Sequence, residues 1–270
     1  MTKRTRTVGT RLLAQVYQPC RVMLQVAVSG AQVGQLEESL RVDCDGRGLQ
    51  VREVVMADGS RVHLLQAPPG QLTVEYEASV VGDLETGEVT SADRIEFVRP
   101  SRYAESDRLV PTAEQEFAGI VGSADLLSAV SSWTGARLSY VPGSSGPTDG
   151  AVDTLLSRRG VCRDYAHLVI ALLRALDVPA RFAAVYAPGL DPMDFHAVAE
   201  AAIDGRWRVV DATLLAPRGS LVRIATGRDA ADTSFMSTYG GAADLLEARV
   251  TAVTSGELPA DDVRALVSLT

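Results

Sequence analysis

The chain has 270 residues, 46% of them hydrophobic and 22% charged, which is ordinary globular usage and enough length for one large domain or two modest ones. A formal net charge of −8 argues against a phosphate-reading surface, so nucleic acid is not an expected partner. Cys20, Cys44 and Cys162 are odd in number, far apart and free of CxxC or Cys/His spacing, so neither a disulfide framework nor a metal site is indicated and a reducing cytoplasm fits.

The basic start "MTKRTRTVGTRLLAQVY" breaks its apolar stretch too early for a signal-peptide core. No later stretch approaches the roughly 18 uncharged residues of a membrane helix, so a soluble, unprocessed chain with no membrane partner is expected. Residues 1–97 carry short alternating or β-branched runs, "QPCRVMLQVAV", "LQVREVVM", "RVHLL" and "LTVEYEASVV", separated by the turn signals "DCDGRG", "ADGS" and "APPGQ". They predict an N-terminal β-sandwich, with the clearest hairpin turning tightly at Asp58-Gly59. Residues 98–111 read as a connector bracketed by Pro100 and Pro111, opening a second domain over 98–270.

Beyond the connector the apolar period becomes helical in "TAEQEFAGIVGSADLLSAVSSWTG", and a Gly/Pro/Ser loop and a short helix follow in "VPGSSGPTDGAVDTLLSRRG". A strong helix begins at Cys162, its Tyr165, Leu168, Val169, Leu172, Leu173 and Leu176 recurring at three and four, and Pro179 ends it. Strand-like runs follow in "ARFAAVYA", "FHAVAEAAI" and "RWRVVDAT". Helices first and sheet after predict an α+β domain.

Cys162 falls at the first turn of its helix, where unpaired N–H groups and the helix dipole stabilise an anion, so it is a candidate nucleophile; Arg158, Arg159 and Arg163 either reinforce this or point to solvent. Against it stands the commonest role of a free cysteine, a small buried apolar residue. Of the three histidines, His63 reads as a half-exposed strand residue, and His167 lies on the Cys162 helix but off its face. His196 belongs to a hairpin turning at Asp204-Gly205, which sets Ile203 opposite Arg206, Val198 opposite Asp211 and His196 opposite Thr213. Asp211 then becomes the diagonal, same-face neighbour of His196, within reach of its imidazole. Nucleophile, base and orienting carboxylate together suit thiol acyl-transfer chemistry.

The blocks "RRGVCRDYAHLVIALLRALDVPARFAAVYA", "DFHAVAE" and "GRWRVVDAT" resemble the transglutaminase-like superfamily, and "PSRYAESDRL" and "VRIATGRDAADTSF" resemble its bacterial cysteine-protease branch, whose members carry an N-terminal β domain. The resemblance implies a papain-like, transglutaminase-like catalytic domain in which Cys162 is the nucleophile, His196 the general base and acid, and Asp211 its orienter. Many members have Asp-Pro-Thr where this chain has Asp211-Ala212-Thr213, which keeps the acid. It further implies an upstream oxyanion donor, for which Tyr140 is the candidate beside the Cys162 N–H and Trp133 the competitor. Animal members use calcium, but "VDCDGRG" is too short for a calcium loop and reads as a turn. No cofactor is implied, and phosphate-binding glycine loops and a GxSxG elbow are absent. In "ATGRDAADTSF", Arg228 and Asp229 read as a structural ion pair.

The expected activity is attack of the Cys162 thiolate on a peptide or protein amide, giving a thioester that water resolves, as in a peptidase or amidase. An amine acceptor, as in a transglutaminase or transpeptidase, and a non-catalytic interaction scaffold on the same fold are the alternatives.

Overall fold

From Val8 onward every second residue of strand β1 (Thr5–Val16) is buried, Val8, Thr10, Leu12, Ala14 and Val16, the alternation of a strand with one face on a core. It belongs to a computed structural model that describes residues 4–30, 35–82 and 87–269. Strands β2 (Cys20–Leu24), β3 (Gln35–Cys44), β4 (Arg47–Gly48), β5 (Arg52–Val55), β6 (Arg61–Ala67) and β7 (Gly70–Val81) follow. Asp45 and Gly46, with φ of 50° and 75°, make the two-residue turn between β3 and β4. The β5–β6 hairpin is one residue longer than the tight turn expected there. Met56 N–H bonds the Ser60 carbonyl at 2.8 Å, and only Gly59 of the three residues between them has positive φ.

Helix α1 (Ser91–Glu96) lies in the stretch read as part of the β half. Its signal was local: the Thr90 hydroxyl caps Asp93 N–H and the Asp93 carboxylate returns to Thr90 N–H. The segment read as a connector is packed rather than free, with Ala104, Ser106 and Leu109 buried and Tyr103 N–H bonded to Asp229. The next helical stretch is two helices, α2 (Val110–Glu116) and α3 (Ser123–Arg137), broken where Gly122 takes φ 107°. Strand β8 (Ser139–Tyr140), helix α4 (Ala151–Ser157), strand β9 (Arg159–Gly160) and helix α5 (Cys162–Ala175) come next. Helix α5 is buried continuously from Asp164 to Arg174, so it is enclosed rather than merely amphipathic.

Strands β10 (Ala180–Tyr186), β11 (Phe195–Ile203), β12 (Arg206–Val210) and β13 (Val222–Gly227) form an antiparallel sheet ordered β12-β11-β10-β13. Asp204 and Gly205, with φ of 51° and 74°, set the register expected from the sequence, from Ile203 opposite Arg206 to Ala199 opposite Val210. Helix α5 packs its Leu168, Val169 and Leu172 against Phe182, Ala199 and Ala201 of this sheet.

The remaining strands return to the beginning of the chain. Strand β14 (Met236–Tyr239) pairs with β2, and β15 (Ala243–Thr254) pairs with β1 along almost its whole length. Two sheets result, β15-β1-β7-β3-β4 and β14-β2-β6-β5, whose Leu12, Val74, Val250, Val22, Leu24 and Leu65 share one apolar cluster. Tyr186, Val222 and Ile224 of the third sheet enter the same cluster, so its core is not drawn from residues 1–97 alone. Among the described residues no helix is long and apolar enough to cross a membrane.

Candidate active site

The start of α5 is built by Gly160 and Asp164. A Cβ on Gly160 would lie 2.6 Å from the Asp164 Cβ, so only glycine permits this approach. The buried Asp164 carboxylate accepts Val161 N–H at 2.8 Å, closing the helix start, and pairs with Arg163 at 2.9 Å. Arg163 also donates to the Gly146 carbonyl at 2.7 Å, which ties down the preceding loop. Arg158 and Arg159 are exposed. The arginine cluster around Cys162 therefore serves largely as loop anchor and solvated surface.

Cys162 is half-buried, whereas Cys20 and Cys44 are buried, and their thiol pKa values are pushed up by burial. A short parallel bridge sets Tyr140 opposite Gly160, with Val141 N–H bonded to the Gly160 carbonyl at 3.0 Å. This sets Tyr140 beside the strand that leads into Cys162. Burial foremost, then charge at Cys162, pushes the Tyr140 hydroxyl up to about 12, which keeps it a proton donor at neutral pH. Trp133 is occupied elsewhere: its indole N–H donates to Glu116 at 2.7 Å and Arg137 stacks 4.2 Å over its ring.

His196 and Asp211 meet as the hairpin register requires, with Nε2 2.8 Å from Oδ2 and both side chains buried. Burial disfavours a charged His196, but the Asp211 carboxylate outweighs it, helped by Cys162, and the ring is pushed up to about 10. Burial likewise opposes ionisation of Asp211, and His196 and Thr213 together hold its carboxyl below the ordinary range. The buried Nδ1 of His196 has no hydrogen-bond partner. Thr213 does not face His196 as a simple hairpin continuation would place it. Its N–H and hydroxyl both bond Asp211 Oδ1, at 2.8 and 2.7 Å, a local turn legible in the Asp-x-Thr spacing.

The other histidines lie apart. His167 is buried, stacks on Tyr103 and accepts Ala230 N–H at 3.1 Å, and burial lowers its pKa to about 4. His63 is buried rather than half-exposed, because it shares the face of β6 that Leu65 and Ala67 turn to the core, and it sits 3.2 Å from Glu53. Arg228 pairs with Asp232 at 2.9 Å and not with Asp229, whose carboxylate accepts Tyr103 and Ala231 N–H. Among the described residues no group of three or more His, Cys, Asp or Glu side chains is arranged to hold a metal ion.

A family model described as the transglutaminase-like superfamily matches residues 112–212, a span that contains Cys162, His196 and Asp211. The crystal structure of a candidate cysteine protease from Cytophaga hutchinsonii is similar over 98% of this chain and 96% of that one, at 34% identity and a TM-score of 0.88. An uncharacterised protein of Mycobacterium leprae is 28% identical over 134 residues, 45% of this chain and 48% of the relative, so the match spans about half that protein's length. The fold is that of a cysteine-dependent acyl-transfer class. This chain belongs to the transglutaminase-like superfamily.

Proposed function

We propose that the protein is a cysteine peptidase or amidase that acts on peptide or protein amides through Cys162, His196 and Asp211. The observation that carries this reading is the buried His196–Asp211 pair at 2.8 Å, which leaves Nδ1 unpartnered in a ring that Cys162 influences directly. With Nε2 on Asp211, Nδ1 is the nitrogen available to the sulfur. A His196 raised to about 10 is imidazolium at neutral pH and supplies the positive charge a thiolate nucleophile needs beside it.

The thiolate attacks the amide carbon, and the carbonyl oxygen becomes an oxyanion that takes hydrogen bonds from the Tyr140 hydroxyl and the Cys162 N–H at the helix start. His196 gives its proton to the leaving amine, the C–N bond breaks and a Cys162 thioester remains. Neutral His196, held by Asp211, then takes a proton from water as the water attacks the thioester, releasing the acid and restoring the pair. The family membership and the 34% identical candidate cysteine protease support cysteine chemistry, and bulk water as second nucleophile needs no dedicated acceptor site. Three unpaired cysteines support a reducing, cytoplasmic setting. We read the two sheets that share a core as a β-sandwich domain beside the catalytic unit.

A screen of peptide and isopeptide libraries with wild type and Cys162→Ala tests the proposal. Cleavage by the wild type alone is expected. Equal cleavage by both proteins, or products joined to added amine instead of water, would overturn the hydrolytic reading.

A further inference from the structure

The two residues of the buried pair are fixed by different means. His196 lies on the sheet ladder, opposite Val185 of β10. The β11–β12 ladder ends at Ala199 and Val210, one residue short of Asp211, so strand pairing does not reach the residue that bears the carboxylate. Helix α3 reaches this backbone instead. The buried Ser131 hydroxyl donates to the Asp211 carbonyl at 3.2 Å. One turn further along, a Cβ on Gly135 would lie 2.8 Å from the Ala212 carbonyl oxygen, a backbone atom that cannot swing aside. Residues four apart share a helix face, so α3 meets the Asp211-Ala212 backbone at two successive turns. Leu127, one turn earlier, packs in the same apolar cluster as Val210 and Ala212. Glycine weakens a helix relative to alanine, and Gly135 has no positive φ to require it; the close approach is what its missing side chain permits.

Building on the acyl-transfer reading, we propose that Ser131 and Gly135 are positioning residues that hold the Asp211-Ala212 backbone, and with it the Asp211 carboxylate, against His196. Neither residue takes part in bond making. Ser131 fixes the backbone by a hydrogen bond and Gly135 sets how closely α3 approaches it, so a change at either acts through the 2.8 Å contact between Asp211 and His196. A misplacement on the order of 1 Å at such a contact can slow a reaction that depends on alignment by about 10²-fold.

Two measurements on the full-length protein test this. The first is the proton NMR signal of the His196 Nε2–H, which donation to Asp211 shifts downfield and protects from exchange. It should move upfield and exchange faster in Gly135→Ala and Ser131→Ala. It should stay in place in Val130→Ala, which empties a buried site on the same helix and lowers Tm without removing either backbone contact. The second is single-turnover acylation of Cys162 by an activated ester, with and without Asp211→Asn. Gly135→Ala should slow acylation about tenfold in the wild-type background and less than twofold beside Asp211→Asn, because residues that act through one carboxylate are not additive. Ser131→Ala introduces no clash and should show the same pattern with a loss of about fivefold, so the test stands even if Gly135→Ala does not fold. A His196 signal unmoved in Ser131→Ala, a shift of the same size in Val130→Ala, or equal slowing with and without the Asp211 charge would overturn the proposal. If wild type forms no acyl-enzyme, the acyl-transfer reading fails and the NMR signal alone decides whether α3 positions Asp211.

Discussion

Both oxygens of the Asp211 carboxylate are engaged, Oδ2 by His196 at 2.8 Å and Oδ1 by the Thr213 N–H and hydroxyl at 2.8 and 2.7 Å. Asp211→Asn keeps the shape but can hold the wrong imidazole tautomer and stabilises imidazolium less. We expect acylation to slow on the order of 10²-fold or more with little change in Tm. Thr213→Val keeps the N–H bond to Oδ1, and single-turnover acylation should fall by less than about tenfold. The reverse ranking would move the orienting role to Thr213. The pair also sets pH behaviour. His196 is raised from 6.5 to about 10, so its contribution to stability is full below 6.5 and fades as pH rises through about 10. Asp211 is lowered from 3.8, so its contribution is present above 3.8 and fades as pH falls through its depressed value. The destabilisation caused by His196→Gln should therefore be largest between about pH 4 and 6.5 and shrink toward pH 10, as urea titrations across that range would show. A penalty that grows with pH would contradict the raised His196. This pair was legible in the sequence because the Asp204-Gly205 turn fixes a register and the register fixes the diagonal. The directions of Arg158, Arg159 and Arg163 were not, because side chains around a helix start obey no period.

The helix start is where one glycine decides the geometry. Gly160→Ala would push a Cβ to 2.6 Å from the Asp164 Cβ, a contact that no flexible tip can relieve. We expect a loss of about 1–3 kcal/mol, together with slower alkylation of Cys162 as α5 is displaced. Urea denaturation and iodoacetamide labelling measure the two effects, and an unchanged labelling rate would show that α5 tolerates the shift. The same neighbourhood explains why Tyr140 and Trp133 could not be separated by sequence alone. A two-residue parallel bridge between Ser139–Tyr140 and Arg159–Gly160 brings Tyr140 in, and pairing that short leaves no periodic trace. Helix α5 was legible from its three-and-four spacing, while α1 was hidden among β-rich runs and betrayed only by its Thr90–Asp93 cap.

Across the whole molecule, chain order and sheet membership diverge. The alternating runs of residues 1–97 announce strands, but nothing in them says that β1 and β2 take partners from residues 236–254, because pairing between distant segments leaves no local mark. A chain ending at Phe235 would bare the edges of both strands and a strip of the shared core. Such a truncation should aggregate or lose cooperative unfolding in urea. A soluble, cooperatively folding 1–235 fragment would show that β14 and β15 are dispensable. The region of the two sheets is also tied to the sheet that carries His196, since Tyr186 of β10 donates its hydroxyl proton to the Val26 carbonyl at 2.7 Å. The proposed chemistry requires a Cys162 thiolate beside a His196 imidazolium. Rapid mixing with an activated amide or ester, followed by acid quench, intact mass and peptide mapping, should trap a hydroxylamine-labile acyl group on Cys162. The adduct should be lost in Cys162→Ala and formed slowly in His196→Ala. An acyl group on Cys20 or Cys44, or one that survives in Cys162→Ala, would contradict a thioester at the start of α5.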